Sequence, residues 1–388
     1  ASDVYKRQKL NSKKILGTGF IVVILILSAL SIITMASLSF PKAQNEYGEA
    51  SYFLLRQTIW LVIGWGGFIF TANLNYKKYR EIGKYLYGTG IIMLVMVLVI
   101  GKTVNGAKRW IDLGMGVVIQ PSEFAKLILI IVLSALVYNF KTRNKIKKFP
   151  WETSLVLMMT TGIYIILVFF EKSFSNTAQI AIIGFTYLLV SEIKFSVIGF
   201  YAILTGIAGW FSVMKVGYRA SRIAAHTSKN IGFQTSQSLI AIANGRLTGK
   251  FYGNGLQKYG FLPEIHTDYI FSGYAEENGF LGVVFLLGLY AALLVIIGVA
   301  LKKIKDLYAK YLLAGIFMII ATQVIGNVAV ASQLIPSTGI PLPMMSYGGS
   351  TMIAVMMMLG VVYNIIRALY KQEMGSKLDE LNEIDYMM

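Results

Sequence analysis

The feature that most constrains this chain is a series of about ten long apolar runs separated by polar connections. A run of about 20 residues is enough for an α-helix to cross a hydrocarbon core of roughly 30 Å. Because unpaired backbone groups are costly in lipid, such runs should be helical. The predicted spans are 15–38, 52–72, 82–101, 122–140, 153–170, 176–191, 195–215, 277–301, 309–331 and 345–369. The sequence therefore predicts an all-α polytopic membrane protein.

Composition excludes an ordinary soluble enzyme. Charged residues make up 14% of the chain, whereas a globular domain carries about 25%. The chain contains no cysteine, which excludes disulfides and thiolate metal sites. No internal repeat or low-complexity linker divides the sequence, so we expect a single membrane domain over 1–388.

The formal net charge of +17 is explained by topology. Lysines and arginines concentrate in alternate connections and in the terminal segments 1–14 and 370–388. The positive-inside rule therefore predicts that both termini are cytoplasmic, which requires an even number of spans. Such flanking charge also contacts anionic lipid, and we expect no nucleic-acid partner.

One predicted outward connection, 216–276, is far longer than the others. At about 60 residues it exceeds the usual loop length, so it should be either functional or disordered. Its aromatic and aliphatic segments argue against disorder, and it contains both histidines of the chain. Its basic residues beside a few acids at a membrane surface suit an anionic, phosphorylated, lipid-linked substrate.

Three polar residues near the end of this loop are candidates for chemistry. Asp268 is either a general base or the cap of a helix that begins with the apolar run after it. Glu264 either orients such a base or its substrate, or is a solvated loop acid. With two histidines and no cysteine, His266 does not indicate a dedicated metal site, although a carboxylate and a bound diphosphate could still recruit Mg²⁺.

Four cations are candidates for diphosphate contact, the alternative for each being lipid headgroups: Arg109, Arg219, Arg222 and Lys258. Lys126 is a further candidate for substrate or diphosphate binding. It differs from the other four because it lies about one turn inside a predicted span, where a charge costs a few kcal/mol and needs a partner. Glu123, three residues earlier, can reach it on a helix.

Prolines and glycines cluster before the last predicted span, at 336–349. They predict either a broken or re-entrant segment, or a plain loop followed by a helix start. Irregular backbone at membrane depth is tolerated only where it is buried or lines a cavity. The residues expected to line such a cavity are Gln120, Glu123, His266 and Ser346.

Several blocks resemble one family. The segment 261–271, Phe-Leu-Pro-Glu-Ile-His-Thr-Asp-Tyr-Ile-Phe, closely resembles the L-P-E-x-H-T-D-F-I-F motif of the SEDS (shape, elongation, division, sporulation) family. Further blocks that are similar to the family lie at 106–110, 120–126, 237–242, 253–258 and 338–350. The matches follow the family order, and ten spans are the family plan.

The resemblance implies a peptidoglycan glycosyltransferase of the bacterial cytoplasmic membrane. It implies that lipid II is polymerised at the outer face with inversion, that undecaprenyl diphosphate leaves, and that Asp268 is the base. Arg109 and Lys258 are favoured for the diphosphate because they lie inside matched blocks. The implied partners are a class B penicillin-binding transpeptidase and components of the elongasome or divisome. No cofactor is implied as required, and a divalent cation such as Mg²⁺ stays open.

The chain departs from the family pattern in one place. The family lysine that Lys126 matches commonly pairs with an acid in a P-D-x-G-T-like motif after the fifth span. Here 171–178 reads Glu-Lys-Ser-Phe-Ser-Asn-Thr-Ala, without an aspartate. Either Glu171 or Glu123 substitutes, or the pairing is lost.

Two other functions are compatible with the sequence. A lipid II flippase would also use broken helices and intramembrane charge, although transporters usually show inverted repeats and midplane sites. A catalytically silent scaffold could recruit the transpeptidase. The sequence leaves open whether the chain serves elongation, division or sporulation.

Overall fold

A computed structural model describes residues 2–104, 106–114, 117–214 and 232–387 of the chain. Within these residues the fold is a helical bundle with one small sheet. The helices are α1 (Ser2–Leu38), α2 (Phe40–Tyr47), α3 (Tyr52–Asn73), α4 (Tyr76–Ile100), α5 (Pro121–Thr142), α6 (Lys145–Lys148), α7 (Pro150–Phe170), α8 (Phe174–Val190), α9 (Phe195–Met214), α10 (Phe233–Gly245), α11 (Ile270–Lys303), α12 (Leu307–Ala331) and α13 (Gly349–Met387). The strands are β1 (Lys102–Val104), β2 (Ala107–Asp112) and β3 (Val118–Ile119).

Eight helical segments in the described residues are long and apolar enough to cross a membrane: Leu16–Leu38, Tyr52–Asn73, Tyr76–Ile100, Pro121–Thr142, Pro150–Phe170, Ile270–Lys303, Leu307–Ala331 and Gly349–Tyr370. Two shorter apolar helices, Phe174–Val190 and Phe195–Ile207, occupy the remaining predicted spans. The predicted class, an all-α polytopic membrane protein, is confirmed.

The end of the long loop differs from the prediction. Helix α11 already begins at Ile270, and its backbone leaves helical geometry at Gly279 (φ 64°, ψ −167°). The predicted start of this span at 277 therefore marks a break inside a helix. The backbone groups freed at the break are satisfied from the segment after α10: Phe280 N–H donates to the Arg246 carbonyl at 2.9 Å, and Leu281 N–H donates to the Leu247 carbonyl at 3.1 Å.

The segment 332–348 between α12 and α13 is irregular, as one of the two sequence readings predicts. It contains turns but no helix, because Pro341 and Pro343 lack the N–H groups that a helix needs. Leu342, Met344 and Met345 in this segment are almost fully buried. The segment is therefore packed into the bundle as irregular backbone, and no re-entrant helix forms there.

Close helix packing and the sheet fix the end of the bundle where these segments lie. Helix α13 begins against α3 so closely that a Cβ on Gly349 would lie 2.5 Å from the Trp60 ring; small residues allow such approach between membrane helices. The antiparallel sheet, with order β1-β2-β3, connects α4 to α5. The matched block at 106–110 lies within this connection, and the block at 120–126 begins at its end.

Candidate active site

Hydrogen bonds join the two longest matched blocks at one end of the bundle. Ser346 donates from its hydroxyl to the carbonyl of Thr267 at 2.7 Å, and Tyr347 N–H donates to the carbonyl of His266 at 2.9 Å. The block at 338–350 is thus the surface on which the 264–268 turn rests. Ser346 is buried and joins the two blocks, and its expected place in a cavity wall stays a prediction.

A third block reaches the same junction. The backbone N–H of Gln120, just before α5, donates to the Ser350 hydroxyl at 2.8 Å. The Gln120 side chain is partly exposed, and its amide donates to the Ser122 hydroxyl at 3.3 Å. The start of α5 is therefore docked on the start of α13.

Asp268 lies in the turn immediately before α11. The helix begins at Ile270 with Tyr269 as its N-cap and without a side-chain capping bond, so the capping role considered for Asp268 is wrong. The Asp268 carbonyl accepts a hydrogen bond from Asn327 Nδ2 at 2.8 Å. The carboxylate lies beside Gly339, where an added Cβ would be 3.3 Å from Asp268 Oδ2.

Glu264 is at the partly exposed start of the same turn. The Thr267 hydroxyl donates to Glu264 Oε2 at 2.8 Å, and Lys42 Nζ on α2 lies 3.9 Å from Oε1. The carboxylate therefore braces the turn that carries Asp268 while one edge stays open to solvent.

His266 is buried in an aromatic cluster. Its ring centroid lies 4.7 Å from that of Phe53 and 5.9 Å from that of Tyr347. Burial, with a smaller contribution from the charge of Lys42, lowers the pKa of His266 to about 4. The imidazole is therefore neutral and packs the motif against α3, and its expected place in a cavity wall stays a prediction.

Lys126 is fully buried, and its ammonium lies at the centre of a polar network. Nζ is 2.8 Å from Glu123 Oε2, as predicted, and it also donates to Asn176 Oδ1 at 3.3 Å and Gln179 Oε1 at 2.8 Å. Two amides of α8 thus supplement Glu123 where the family acid is missing. An ammonium enclosed in this way does not reach a surface-bound diphosphate, so the expected contact from Lys126 is not what the structure supports. Glu123 is likewise buried, and its expected place in a cavity wall stays a prediction.

Glu171 follows the end of α7 and is not the acid that pairs with Lys126. Burial raises the pKa of Glu171 to about 8, and the Ser122 hydroxyl and the Arg109 guanidinium oppose this shift. Arg109, on β2, donates from Nε to the Glu171 carbonyl at 3.3 Å and from Nη2 to the Lys172 carbonyl. Its charge therefore faces the C-terminal end of α7, where helix carbonyls favour a cation.

Lys258 is buried rather than exposed. Its Nζ lies 2.8 Å from Glu277 Oε1 and 2.9 Å from the Ser37 hydroxyl on α1. Lys258 also lines a pocket of about 190 Å³ between α2 and the segment 258–265. The pocket is lined by Pro41, Lys42, Asn45, Glu46, Lys258, Gly260, Leu262, Pro263 and Ile265.

Three buried polar residues at this end of the bundle, Glu276, Glu277 and Asn327, are not among the residues predicted from the sequence. Glu276 and Glu277 hold the segment after α10 through Lys250 (Nζ to Glu276 Oε1, 3.5 Å) and Lys258. For Glu276 and Glu277, the sequence signal that could have predicted burial is their position as two adjacent acids directly before a long apolar run. For Asn327, the corresponding signal is a polar amide inside a predicted membrane span.

Two predicted site residues, Arg219 and Arg222, lie outside the described residues. Within the described ranges, no group of three or more histidine, aspartate or glutamate side chains is arranged to hold a metal ion.

The fold and this junction define a class: a multi-spanning helical membrane protein with a polar site at one end of its bundle. Residues 18–371 match the family of FtsW, RodA and SpoVE, described as cell cycle proteins. The chain therefore belongs to this family, which is the SEDS family of peptidoglycan glycosyltransferases.

Individual relatives agree with this assignment. The probable peptidoglycan glycosyltransferase FtsW of Coxiella burnetii is 31% identical and aligns with 89% of this chain and 94% of its own length. That of Geobacter metallireducens is 29% identical, with 92% and 96% covered. Among solved structures, a chain of a peptidoglycan synthase complex that coordinates polymerization and crosslinking has a TM-score of 0.74 at 25% identity, covering 91% of this chain and 98% of that chain. RodA of Thermus thermophilus has a TM-score of 0.66 at 25% identity, with 91% and 97% covered.

Proposed function

We propose that the chain polymerises lipid II into glycan strands at the outer face of the bacterial cytoplasmic membrane. Family membership supports the class of enzyme. The position of Asp268 is the observation that supports a role for particular residues. Its carbonyl accepts a hydrogen bond from Asn327, and its carboxylate lies against Gly339. This is the point at which the 264–268 and 338–350 blocks meet.

Asp268 is the proposed base. Its carboxylate takes the proton of the 4-hydroxyl on the acceptor GlcNAc while that oxygen attacks the anomeric carbon of the donor MurNAc. The bond from that carbon to the diphosphate oxygen breaks, and undecaprenyl diphosphate leaves with the bonding electrons. Attack from the opposite face inverts the configuration from α to β. A positioned base typically contributes 10²–10⁴ in rate, and diphosphate leaves without needing a second acid.

Cations that oppose the charge of the departing diphosphate complete the proposed site. Lys258 engages two acceptors, and an ammonium has three donors, so a third remains for a substrate oxygen at the adjacent pocket. Arg109 lies on strand β2 at the same end of the bundle. Glu264 orients the base or the acceptor, and Arg219 and Arg222 remain predicted contacts. A divalent cation held between the substrate diphosphate and a carboxylate stays a prediction, and no step depends on it.

The proposed orientation places both termini, 1–14 and 370–388, in the cytoplasm. The charge bias of the connections supports this orientation, and the eight spans with two shorter apolar helices fit an even number of crossings. The segment between α9 and α11 would then be extracytoplasmic, within one membrane domain that covers 1–388.

The proposed partner is a class B penicillin-binding transpeptidase within the elongasome or divisome. Support comes from the similarity to a chain of a complex described as coordinating polymerization and crosslinking. Such a partner would crosslink the strands as they emerge.

The experiment is reconstitution of the purified chain in liposomes with fluorescent lipid II, with and without a transpeptidase of the same organism. Glycan strands in either reaction support the proposal. Transfer of lipid II across the bilayer without strands would favour a flippase. Neither strands nor transfer, with the transpeptidase bound, would favour a scaffold.

A further inference from the structure

Asn327 is a fully buried amide on α12 that joins two segments of the candidate site. Its Nδ2 donates to the carbonyl of Asp268 and to the carbonyl of Ile340, both at 2.8 Å. Since both partners can only accept, the NH₂ group must face them, and the orientation of the amide is determined by its neighbours.

The two carbonyls belong to the two surfaces that define where the Asp268 carboxylate lies. One is the carbonyl of Asp268 itself. The other is that of Ile340, whose neighbour Gly339 packs against the carboxylate so closely that an added Cβ would lie 3.3 Å from Oδ2. The NH₂ group of Asn327 therefore binds both the backbone of Asp268 and the Gly339–Ile340 backbone that packs beside the Asp268 side chain.

Stability alone does not account for this amide. The Asn327 Oδ1 atom is buried and has no hydrogen-bond partner among the described residues. An unpaired buried acceptor carries a desolvation penalty comparable to what neutral hydrogen bonds contribute, so the penalty offsets much of the gain from the two donated bonds. The Asn327 amide instead fixes the carbonyls of Asp268 and Ile340 relative to each other.

The helix that carries Asn327 is held in place by the Lys126 network. Gln323, one turn earlier on the same face of α12, donates to Gln179 Oε1 at 3.2 Å. The same oxygen accepts from Lys126 at 2.8 Å. The buried lysine and the candidate base are thus connected through Gln179 on α8 and through Gln323 and Asn327 on α12.

We propose that Asn327 is a positioning residue for Asp268, fixing the carboxylate beside Gly339 by holding the carbonyls of Asp268 and Ile340 at once. This inference rests on the proposed function, in which Asp268 is the base. Since a misplacement of about 1 Å can cost about 10² in rate, loss of the two donors should lower kcat and leave lipid II binding nearly unchanged.

The test compares Asn327→Leu, which keeps the number and branching of the side-chain heavy atoms without donors, with Asn364→Leu. Asn364 on α13 is a matched control, because it also bridges two backbone groups, donating to the Ala72 carbonyl at 2.6 Å and accepting from Tyr76 N–H at 3.2 Å. It lies about 22 Å along α13 from Gly349, at 1.5 Å per residue.

We expect Asn327→Leu to lower kcat for lipid II by about 10- to 100-fold with KM within about threefold, and Asn364→Leu to keep kcat within about threefold. Hydrogen–deuterium exchange should rise in peptides covering 264–269 and 338–342 only in Asn327→Leu. If that variant is not recovered as monodisperse protein, Asn327→Ala removes the same donors and carries the same expectation.

Wild-type kcat in Asn327→Leu, equal losses in both variants, or unchanged exchange in the two peptides would overturn the inference. An Asp268→Asn reference separates it from the proposed function. If Asp268→Asn is inactive and Asn327→Leu is fully active, only the positioning role fails. If Asp268→Asn is fully active, the assignment of the base fails and the positioning role fails with it.

Discussion

Lys126 Nζ lies 2.8 Å from Glu123 Oε2, one helical turn away on α5, and both side chains are almost completely buried. Breaking a buried ion pair leaves one charge uncompensated and costs roughly 3–5 kcal/mol. The pair therefore supports the bundle only while both members are present.

The first prediction concerns this pair. Lys126→Met should lower the thermal unfolding midpoint in detergent and abolish polymerisation while membrane insertion is retained. The double variant Glu123→Gln with Lys126→Met should recover much of the midpoint, because both charges of this pair are removed. Lys141→Met, on the same helix but in a partly exposed pair with Glu192, is the control and should change stability by less than about 1 kcal/mol. Full activity of Lys126→Met would show that the lysine is dispensable.

The second prediction concerns Lys258. Its ion pair with Glu277 is 3% exposed on both sides, whereas the Lys102–Asp112 pair is 60% and 38% exposed. Lys258→Met should therefore destabilise the chain by about 3 kcal/mol, and Lys102→Met by no more than about 1 kcal/mol. Thermal unfolding of both variants measures the difference, and equal effects would contradict the buried pairing.

The third prediction concerns the docking of α10 on α11. A Cβ at Gly245 would lie 2.1 Å from the backbone oxygen of Ala275, whereas a Cβ at Gly88 in α4 would meet no atom within 4 Å. Gly245→Ala should displace the loop segment and reduce both polymerisation and thermal stability. Gly88→Ala should change stability by no more than about 1 kcal/mol. A Gly245→Ala protein with wild-type stability would mean that α10 does not pack on α11 as described.

The fourth prediction concerns pH. Because burial lowers the pKa of His266 to about 4 from a usual 6.5, the unfolded chain binds a proton in this range that the folded chain does not. The contribution of the neutral imidazole is therefore complete above pH 6.5 and is lost as the pH falls toward 4, by about 3 kcal/mol in total. His266→Phe should reduce the fall in unfolding midpoint between pH 6.5 and 4. An unchanged slope would contradict the buried, neutral state.

The membrane spans were predictable because the length and hydropathy of an apolar run can be read from consecutive residues of the sequence. The Glu123–Lys126 pair was predictable for the same reason, since three residues on a helix are neighbours. The break at Gly279 was not, because it depends on hydrogen bonds to Arg246 and Leu247. The partners of Lys258 were not predictable either, since Ser37 belongs to α1.

The sequence motif could single out Asp268 as a candidate residue, but it could not predict which residues surround Asp268 in the fold. Its identity as a candidate base came from the family resemblance, and the apolar run after it equally suggested a helix cap. The structure moves the helix start to Ile270 and supplies two neighbours, Asn327 and Gly339, from distant parts of the chain. Tertiary contacts of this kind leave no periodic pattern in a single sequence.

The most direct test of the central claim is the initial rate of lipid II polymerisation by Asp268→Asn in proteoliposomes. Asp112→Asn is the matched control, since Asp112 is an exposed acid on β2 that pairs with Lys102. We predict that Asp268→Asn loses at least about 10²-fold in rate with unchanged stability, and that Asp112→Asn retains the wild-type rate. Polymerisation by Asp268→Asn at the wild-type rate would contradict the account.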